Sequence, residues 1–327
     1  MTLKIYKDKH ANLKYLKGKT ITILGYGSQG RAQAANLKDS GCKVIVGLRA
    51  KSKNKKSAQK DGFEILSIEK AVQKGDIISF LIPDHIHSEV FAKIKKYLSP
   101  GKTLLFAHGF SIHFKLIRPP KNVDVILVAP HSPGKILREN YKNKKGVTGF
   151  VGVYQDYTGE AKKVVLAYAK GVGLTKAGVF WTSFKDEAVG DIFGEQAVLC
   201  GGLTELLKKG FEVLTQAGLS KENAYLECIH QLDFIVNLIK SYGISGMYNR
   251  ISKTAEYGSY LSGKRVIDDK VKQNMKKVLA EIKNGAFARK WIREYKAGMK
   301  NYIKLKKQVS SHPLEKTGES LRRKLTG

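Results

Sequence analysis

Two pairs of oxygen-bearing side chains have a spacing that could hold a metal ion. The run DIFGEQAVLC places Asp191 and Glu195 four residues apart at the head of an apolar stretch, and ECIHQ repeats the spacing with Glu227 and Gln231. On a helix, residues four apart project from one face, so the like charges of the first pair repel and need a compensating cation. Helical bundles build carboxylate metal sites in this way, and oxygen ligands without cysteine favour Mg²⁺ over zinc. These residues alone leave open a second interpretation, in which they are acidic groups on solvated helix faces.

A glycine-rich motif near the N-terminus predicts a dinucleotide site. ITILGYGSQGRAQAANL has the pattern of a strand, a G-x-G-x-x-G turn and a helix, with its glycines at Gly25, Gly27 and Gly30. The first glycine permits the tight turn, the second lets the backbone approach a pyrophosphate, and the third lets helix and strand pack closely. The helix N-terminus then binds the negative charge. The strand-to-helix context favours this function over a purely structural glycine turn.

The segment after the next predicted strand, KVIVGL, indicates which dinucleotide is bound. Enzymes that prefer NAD usually have an acidic residue here, which binds the ribose hydroxyls. This chain instead has Arg49, Ser52 and Asn54 among lysines, with no carboxylate. Such groups suit a 2′-phosphate, so the predicted cofactor is NADPH. The alternative is a basic loop exposed to solvent.

Polar residues also follow other predicted strands. His108 lies near the end of TLLFAHGF, and His131 comes directly after VDVILVAP in VDVILVAPHSPG. Ligands of open α/β sheets bind at the carboxyl ends of the strands, so both histidines are candidate acids or bases, although a lone histidine there is often structural. Asp84 in FLIPDHIH follows a strand in the same way, and the loop from Asp84 to His87 is a candidate cofactor contact.

The elements that position these residues fall into two regions. From Thr20 to about residue 180, short β-branched runs alternate with helical patterns, which predicts an α/β, Rossmann-type, doubly wound parallel sheet. From about Ser183 no clear strand follows, and apolar residues recur every three to four positions, as in helices. We therefore predict an NADP-binding domain at residues 1–182 and an all-α domain at residues 183–327.

Composition limits the class of protein. The 327 residues are 42% hydrophobic, enough for two packed domains, and no stretch resembles a signal peptide or a membrane span. Three widely spaced cysteines argue against a disulfide framework, so we expect a cytoplasmic protein. The net charge of +31 would attract polyanions, but the lysines are scattered along the whole chain, so we expect no specific nucleic-acid partner.

Segments along nearly the whole chain resemble the short form of the ketol-acid reductoisomerase (acetohydroxyacid isomeroreductase) family. They are LKGKTITILGYGSQGRAQAANLKDSG, VGLR, LIPD, FAHGF, PPKNVDVILVAP, AYAKGVG, DIFGEQAVLCGG, ISKTAEYG and HPLEKTGESLR. The resemblance implies a knotted helical C-terminal domain and a homodimer or higher homo-oligomer. It also implies an Mg²⁺-dependent alkyl migration in 2-acetolactate or 2-aceto-2-hydroxybutyrate, followed by reduction with NADPH, in valine and isoleucine biosynthesis.

The resemblance assigns expected roles to single residues. Asp191 would bridge two Mg²⁺ ions, and Glu195 would complete the first metal site. Glu227 and Gln231 fall at the second metal's positions and Ser252 at a substrate-contacting serine, and all three would reach the active site from a neighbouring subunit. The NADPH-contacting positions are occupied by Tyr26, Gly27, Ser28, Gln29, Arg49, Ser52, Asn54, Asp84, His85, Ile86, His87 and Gly134.

The chain departs from the family pattern near the expected reaction centre. His108 matches the family's active-site histidine, but His131 and Ser132 stand where the family has lysine and glycine. A histidine is mostly neutral near pH 7, so His131 replaces the lysine's charge only in part. Gln231 replaces a glutamate, which should weaken binding of the second metal, and Asn54 replaces a serine. These changes leave two alternatives: an NADPH-dependent 2-keto acid reductase that has lost the alkyl migration, and a basic binding protein on the retained fold.

Overall fold

The computed structural model describes residues 4–325 and divides into two compact units, Met1–Gly190 and Asp191–Gly327. The strands of the described residues are β1 (Ile5–Tyr6), β2 (Thr20–Leu24), β3 (Lys43–Gly47), β4 (Glu64–Leu66), β5 (Ile77–Phe80), β6 (Thr103–Phe106), β7 (Asp124–Pro130), β8 (Gly149–Gln155) and β9 (Val179–Trp181). The α-helices of the first unit are α1 (Ser28–Asp39), α2 (Lys55–Lys60), α3 (Ile68–Lys74), α4 (His87–Ile94), α5 (Phe110–His113), α6 (Gly134–Lys142) and α7 (Ala161–Gly171). Helix α8 (Phe184–Phe193) contains the division between the units.

All nine strands form one sheet in the order β1-β9-β8-β7-β6-β5-β2-β3-β4. From β2 the chain builds outward through β3 and β4, then returns to the other side of β2 with β5. The strand order therefore reverses between β2 and β5, and a crevice at such a reversal is where open α/β sheets bind ligands. The predicted α/β class with a doubly wound, mostly parallel sheet is confirmed.

The sheet is mixed at one side, which the expectation of a parallel sheet did not include. Strand β8 runs antiparallel to β7, because Gly149 at its start pairs with Pro130 at the end of β7. The connection through α6 thus begins and ends at the same end of the strands, so β8 runs in the direction opposite to β7. The two-residue strand β1 is also antiparallel to its neighbour β9.

The central strands are apolar on both faces because helices cover both faces. Every residue of β2 is buried, and its Ile21, Ile23 and Leu24 are fully so. Burying an aliphatic side chain of this size contributes about 1.5–3 kcal/mol. One apolar cluster packs around α1 and α7, with Leu37 and Val165, and the other around α4 on the opposite face. These two clusters hold the carboxyl ends of the strands in fixed positions.

The second unit is helical throughout its described residues. Its α-helices are α9 (Gly201–Gln216), α10 (Lys221–Tyr225), α11 (Leu232–Tyr248), α12 (Lys253–Val266), α13 (Asp269–Lys283), α14 (Ala286–Lys296), α15 (Lys300–Ser311) and α16 (Pro313–Leu325). Residues 194–199 and 226–230 form π-helical segments. The stretch NAYLECIHQLDFIVNLIKSYG, residues 223–243, has a helical pattern of apolar residues, and the second π-helical segment interrupts it. Its last residue, Gly243, has φ 73° and kinks α11. No helix among residues 4–325 has the length and apolar character needed to span a membrane.

Candidate functional site

The glycine turn lies at the reversal of strand order and is shaped by close backbone contacts. Gly25 has φ 89°, and a Cβ there would lie 2.8 Å from the carbonyl oxygen of Leu81 at the end of β5. A Cβ on Gly30 would lie 2.5 Å from the carbonyl oxygen of Gly25, so α1 can pack on β2 only with glycine at this position. Beside Gly27 a Cβ would meet nothing within 4 Å, and no side chain caps the helix that begins after it. The turn therefore leaves the amino end of α1 accessible to an anion.

A cleft of about 870 Å³ lies beside this turn, within the first unit. Five cationic side chains line it, against three carboxylates. Two of the carboxylates are held by arginine: Asp61 accepts hydrogen bonds from Arg31 at 2.8 and 3.1 Å, and Asp39 lies 2.6 Å from Arg138. The cationic residues of the lining are Arg31, Lys38, Lys135, Arg138 and Lys142. The wall of the cleft is therefore suited to a phosphorylated ligand.

The cleft brings together only part of the predicted cofactor set. Its lining includes Tyr26, Gly27, Ser28, Asn54 and Gly134. Among the described residues 4–325, the predicted contacts outside the lining of this cleft are Gly25, Gln29, Gly30, Arg49, Ser52, Asp84, His85, Ile86 and His87. Their roles stay predictions.

Both ring nitrogens of His87 are engaged in hydrogen bonds within the protein, which limits what else the ring can contact. The side chain is buried, with Nδ1 2.8 Å from the hydroxyl oxygen of Ser111 and Nε2 2.8 Å from the carbonyl oxygen of Ile82. Burial lowers the pKa of this imidazole, chiefly because the charged form loses its hydration. The ring therefore stabilises the start of α4, and a cofactor contact at this position would come from the backbone.

His108 is oriented by a residue that sequence reasoning did not identify, Glu187. Nδ1 of His108 lies 3.1 Å from both carboxylate oxygens of Glu187, whose side chain is only 3% exposed. The amide of Gly109 donates to the same carboxylate at 2.5 Å, and a Cβ on Gly109 would lie 2.2 Å from the carbonyl oxygen of Phe184. Glycine is thus required for α8 to approach the end of β6 closely enough to present Glu187.

The sequence did contain a signal for Glu187. In DEAVGDIFGE it precedes Asp191 by four residues, the same interval that separates Asp191 from Glu195. Helix α8 therefore carries Glu187 and Asp191 one turn apart.

His131 and Ser132 occupy the loop between β7 and α6. The amide of His131 donates to the carbonyl oxygen of Thr148 at 2.9 Å, and its ring packs edge-on against Phe150 at a centroid distance of 4.4 Å. Burial lowers the pKa of His131, and the opposing effect of the Glu187 carboxylate is smaller. The imidazole is therefore mainly neutral near pH 7, as the sequence led us to expect. The hydroxyl oxygen of Ser132 is buried and has no hydrogen-bond partner among residues 4–325.

Of the four predicted metal ligands, Asp191 lies on α8, and the other three lie at the two π-helical segments. Glu195 lies in the first, where the amide of Cys200 donates to its carbonyl oxygen at 3.0 Å, an i to i+5 bond. Glu227 lies in the second, and Gln231 follows directly, with its side-chain amide 3.3 Å from the Glu227 carboxylate. π-helical turns are rare and occur often at functional sites. All three side chains are exposed in the single chain.

Ser252 begins α12 as its N-cap. Its hydroxyl oxygen accepts a hydrogen bond from the amide of Ala255 at 3.2 Å, and the residue is exposed. An N-cap serine satisfies an amide that the helix cannot satisfy itself. The capping role explains a serine here by local structure, and a contact with substrate stays a prediction.

The reversal of strand order, the glycine turn and the cationic cleft define the first unit as a dinucleotide-binding Rossmann-type domain, followed here by a helical unit. Two family models match the chain: the NADPH-binding domain of acetohydroxy acid isomeroreductase over residues 15–178, and the C-terminal domain of ketol-acid reductoisomerase over residues 184–326. The chain belongs to the ketol-acid reductoisomerase family.

Individual relatives cover almost the full length. The chain is 53% identical to the ketol-acid reductoisomerase (NADP(+)) of Petrotoga mobilis over 318 residues, which cover 97% of this chain and 96% of the relative. It is 51% identical to the enzyme of the same name from Leptospira biflexa over 322 residues, 97% of each chain. A solved structure, an NADH-preferring ketol-acid reductoisomerase from an uncultured archaeon, is 43% identical, with a TM-score of 0.94 and 98% of each chain covered.

Proposed function

We propose that the protein catalyses the Mg²⁺-dependent alkyl migration of 2-acetolactate or 2-aceto-2-hydroxybutyrate and the reduction of the product by NADPH to the 2,3-dihydroxy acid, in valine and isoleucine biosynthesis. The observation that carries the proposal is the match of both units to this family, with Asp191, Glu195, Glu227 and the complete glycine turn retained. A protein that only bound ligands would need none of the carboxylates. We assign NADP binding to residues 1–182 and the metal ligands to the helical domain at residues 183–327.

The residues around the cleft favour NADPH. The relatives named above include one that prefers NADH and two named for NADP(+), so the residues of this chain must decide. Asp39 and Asp61, which could otherwise bind ribose hydroxyls, are each neutralised by an arginine. Arg49, Ser52 and Asn54 would then bind the 2′-phosphate, and the amides at the start of α1 the pyrophosphate. The cofactor supplies the hydride, and the protein supplies its placement.

The oxygen donors of the helical unit fit Mg²⁺. Asp191 and Glu195 would hold one ion between them, with Asp191 bridging to a second ion held by Glu227 and Gln231. All four residues offer only oxygen as a ligand atom for a hard cation, which suits Mg²⁺. Bound there, the ions would polarise the oxygens of the substrate and stabilise negative charge on them. Exposure of these side chains in the single chain leaves them accessible to the ions and to a second subunit.

His108, Glu187 and His131 of the first unit would transfer protons or donate hydrogen bonds during the reaction. Glu187 accepts from Nδ1 of His108 and so fixes the orientation of that ring. An imidazole held in this way is placed to exchange a proton with a substrate oxygen. His131, being mainly neutral, would offer a hydrogen bond where the family's lysine offers a permanent charge.

A homodimer is the proposed assembly. The buried apolar cluster of the second unit is small and consists of Phe211, Ala224, Tyr225 and Leu314. Large apolar side chains of α11 and α12 are exposed instead, including Phe234 at 61% and Tyr257 at 67%. Apolar faces of this extent are typical of subunit interfaces. A second copy would cover them and bring its own Glu227, Gln231 and Ser252 to the shared active site.

The number of subunits in the assembly can be measured in solution. Light scattering should give at least twice the monomer mass, and a monomer at micromolar concentration would contradict the shared site. We also assign the enzyme to the cytoplasm, which is supported by its cysteines, Cys42, Cys200 and Cys228, all of which are free thiols.

One assay tests the activity and its main alternative. NADPH oxidation is followed at several Mg²⁺ concentrations with 2-acetolactate and, in parallel, with 3-hydroxy-3-methyl-2-oxobutanoate, which needs reduction only. The proposal expects turnover of both substrates. Turnover of the second alone would indicate a reductase without the alkyl migration, an outcome that Gln231 and His131 make worth testing. No turnover of either would contradict the function.

A further inference from the structure

A continuous chain of hydrogen bonds runs through the first unit from the sheet to the loop between β7 and α6. The hydroxyl of Ser79 on β5 donates to the hydroxyl oxygen of Tyr168 on α7 at 3.1 Å, and Tyr168 donates to the side-chain oxygen of Gln33 on α1 at 2.9 Å. The amide of Gln33 donates to Gln29 at 3.1 Å, and the amide of Gln29 donates to the carbonyl oxygen of Ser132 at 2.8 Å. We call these five residues the Tyr168 chain.

The last acceptor fixes the direction of every bond in the Tyr168 chain. A backbone carbonyl can only accept, so Gln29 must turn its NH₂ group towards Ser132 and its oxygen towards Gln33. Gln33 must then present its own NH₂ group to Gln29 and its oxygen to Tyr168. Burial raises the pKa of Tyr168, so its hydroxyl remains a proton donor at any physiological pH. Removing the Tyr168 hydroxyl leaves the buried side-chain oxygen of Gln33 without its donor, so Gln33 loses one of the two hydrogen bonds that hold its amide against Gln29.

Stability alone does not account for the Tyr168 chain. The side chains of Ser79, Gln33 and Tyr168 are completely buried, and a polar group there carries a desolvation cost that its hydrogen bonds only offset. Apolar residues of the same shape would fill the space at little or no loss of stability. Unlike apolar packing, a series of directional hydrogen bonds defines the orientation of the group at its end, here the Ser132 carbonyl.

Four contacts hold the loop at the end of the Tyr168 chain. The amide of His131 donates to the carbonyl oxygen of Thr148, ring Nδ1 of His131 lies 3.2 Å from the Thr148 hydroxyl oxygen, and the amide of Gly134 donates to the hydroxyl oxygen of Ser28 at 3.1 Å. Between His131 and Gly134, only Gln29 holds the carbonyl oxygen of Ser132 among the contacts of the described residues. This carbonyl sets the peptide plane that joins the segment carrying His131 to the start of α6.

We infer that Tyr168 and Gln33 are positioning residues, which act through Gln29 to set the loop that carries His131. The inference rests on the proposed function only in assigning a catalytic consequence to that loop. The side chain of Gln29 is occupied by Ser132 and Gln33, so a contact of Gln29 with NADPH would come from its backbone amide. Loss of Tyr168 or Gln33 should therefore slow turnover and leave cofactor affinity nearly unchanged, because the backbone amides at the start of α1 remain in place.

The test compares Tyr168→Phe with a matched control, Thr22→Val. Thr22 is also completely buried, and its hydroxyl donates to the carbonyl oxygen of Ala71 at 2.8 Å, outside the Tyr168 chain. Each substitution removes one buried hydroxyl without changing the shape of the side chain. The first readout is amide hydrogen exchange of the peptide covering residues 131–137. We expect Tyr168→Phe to speed exchange there by at least about threefold, and Thr22→Val to leave it unchanged.

The second readout is turnover of 2-acetolactate. Tyr168→Phe should lower kcat about tenfold with the KM for NADPH changed less than about twofold, which is below the ~100-fold that a misplacement of 1 Å can cost. Equal exchange in both variants, or a loss of kcat shared by Thr22→Val, would overturn the inference. If the parent protein shows no turnover but Tyr168→Phe still loosens the loop, the proposed function fails and the positioning role stands.

A second variant covers the case in which Tyr168→Phe does not fold. Gln33→Met has a similar length and removes the donor to Gln29 directly, so it should loosen the same peptide to the same extent. Because the residues act in series, the double variant Tyr168→Phe/Gln33→Met should be no slower than the worse single variant. Independent, multiplying effects on kcat would mean that the two side chains do not act through one path.

Discussion

Replacing Glu187 with glutamine tests how the imidazole of His108 is controlled. A carboxylate can only accept, so it holds the proton of His108 on Nδ1. Glutamine has nearly the same shape, and its oxygen can still accept from the amide of Gly109. Its NH₂ group then faces Nδ1 of His108 and favours the other tautomer. Glu187→Gln therefore reverses the protonation pattern of the ring with little change in packing.

The structure sets the size of both expected effects. The hydrogen bonds from His108 and from the Gly109 amide to Glu187 are charge-assisted, and Glu187→Gln makes both of them neutral. A charge-assisted hydrogen bond stabilises a protein by about 1 kcal/mol more than a neutral one, so the free energy of unfolding should fall by roughly 2 kcal/mol. Proton transfer by a positioned side chain contributes about 10²–10⁴ in rate, so kcat for 2-acetolactate should fall at least ~100-fold. The loss of rate should thus exceed what the loss of stability can explain.

A matched pair in the helical unit provides the control. Nε2 of His312 lies 3.0 Å from the carboxylate of Glu212, and Glu212→Gln makes the same chemical change in a pair to which we assign no catalytic role. Both variants are compared by urea unfolding and by steady-state rates across pH 6–9. If Glu187→Gln retained kcat within about threefold, or if Glu212→Gln lost as much, orientation of His108 by Glu187 would not contribute to catalysis.

Three further changes test other parts of the proposal. Gln231→Glu should lower the Mg²⁺ concentration for half-maximal activity, because it restores a charged ligand, and an unchanged Mg²⁺ titration would remove residue 231 from the metal site. Arg49→Ala should raise the KM for NADPH at least about tenfold and that for NADH by less than about twofold, and equal changes would show that the loop does not bind the 2′-phosphate. Burial lowers the pKa of His87 in the folded protein, so below about pH 6.5 only the unfolded chain takes up this proton. The free energy of unfolding should therefore fall as pH drops through that range, and His87→Asn should flatten the dependence in urea titrations at pH 7.5 and 5.5.

The fold was predictable from sequence to the extent that local patterns decide it. The sheet was predicted from six apolar runs, and all six contain strands: TITILG, KVIVGL, IISFLIP, TLLFAHG, DVILVAP and TGFVGVY. A strand covered on both faces must be apolar along most of its length, so such runs are recognisable in the sequence. The reversed direction of β8 was not predictable, since it depends on how far α6 carries the chain before it turns. The strands β1, β4 and β9 were missed because runs of two or three residues carry no periodic signal.

The candidate site was predictable where a motif fixes backbone geometry and less so where contacts come from distant parts of the chain. Gly25 and Gly30 are required by contacts that follow from the local turn. The pairing of Glu187 with His108 joins residues 79 positions apart, and only the packing of α8 on the end of β6 reveals it. For the same reason, the residues of the Tyr168 chain have no common sequence signal.

The two π-helical segments bear on why like charges are tolerated at the start of an apolar run. An inserted residue widens the helix and weakens its regular bonding, so a π-helical turn persists only where something compensates for it. Here such turns occur twice, at Glu195 and at Glu227, each in the pair that the family resemblance assigns to metal. If these residues were only acidic groups on solvated helix faces, there would be no reason for both pairs to lie at π-helical turns. A bound cation that draws both carboxylates together would offset the repulsion and the altered helix at once, which favours the metal site over solvated acidic faces.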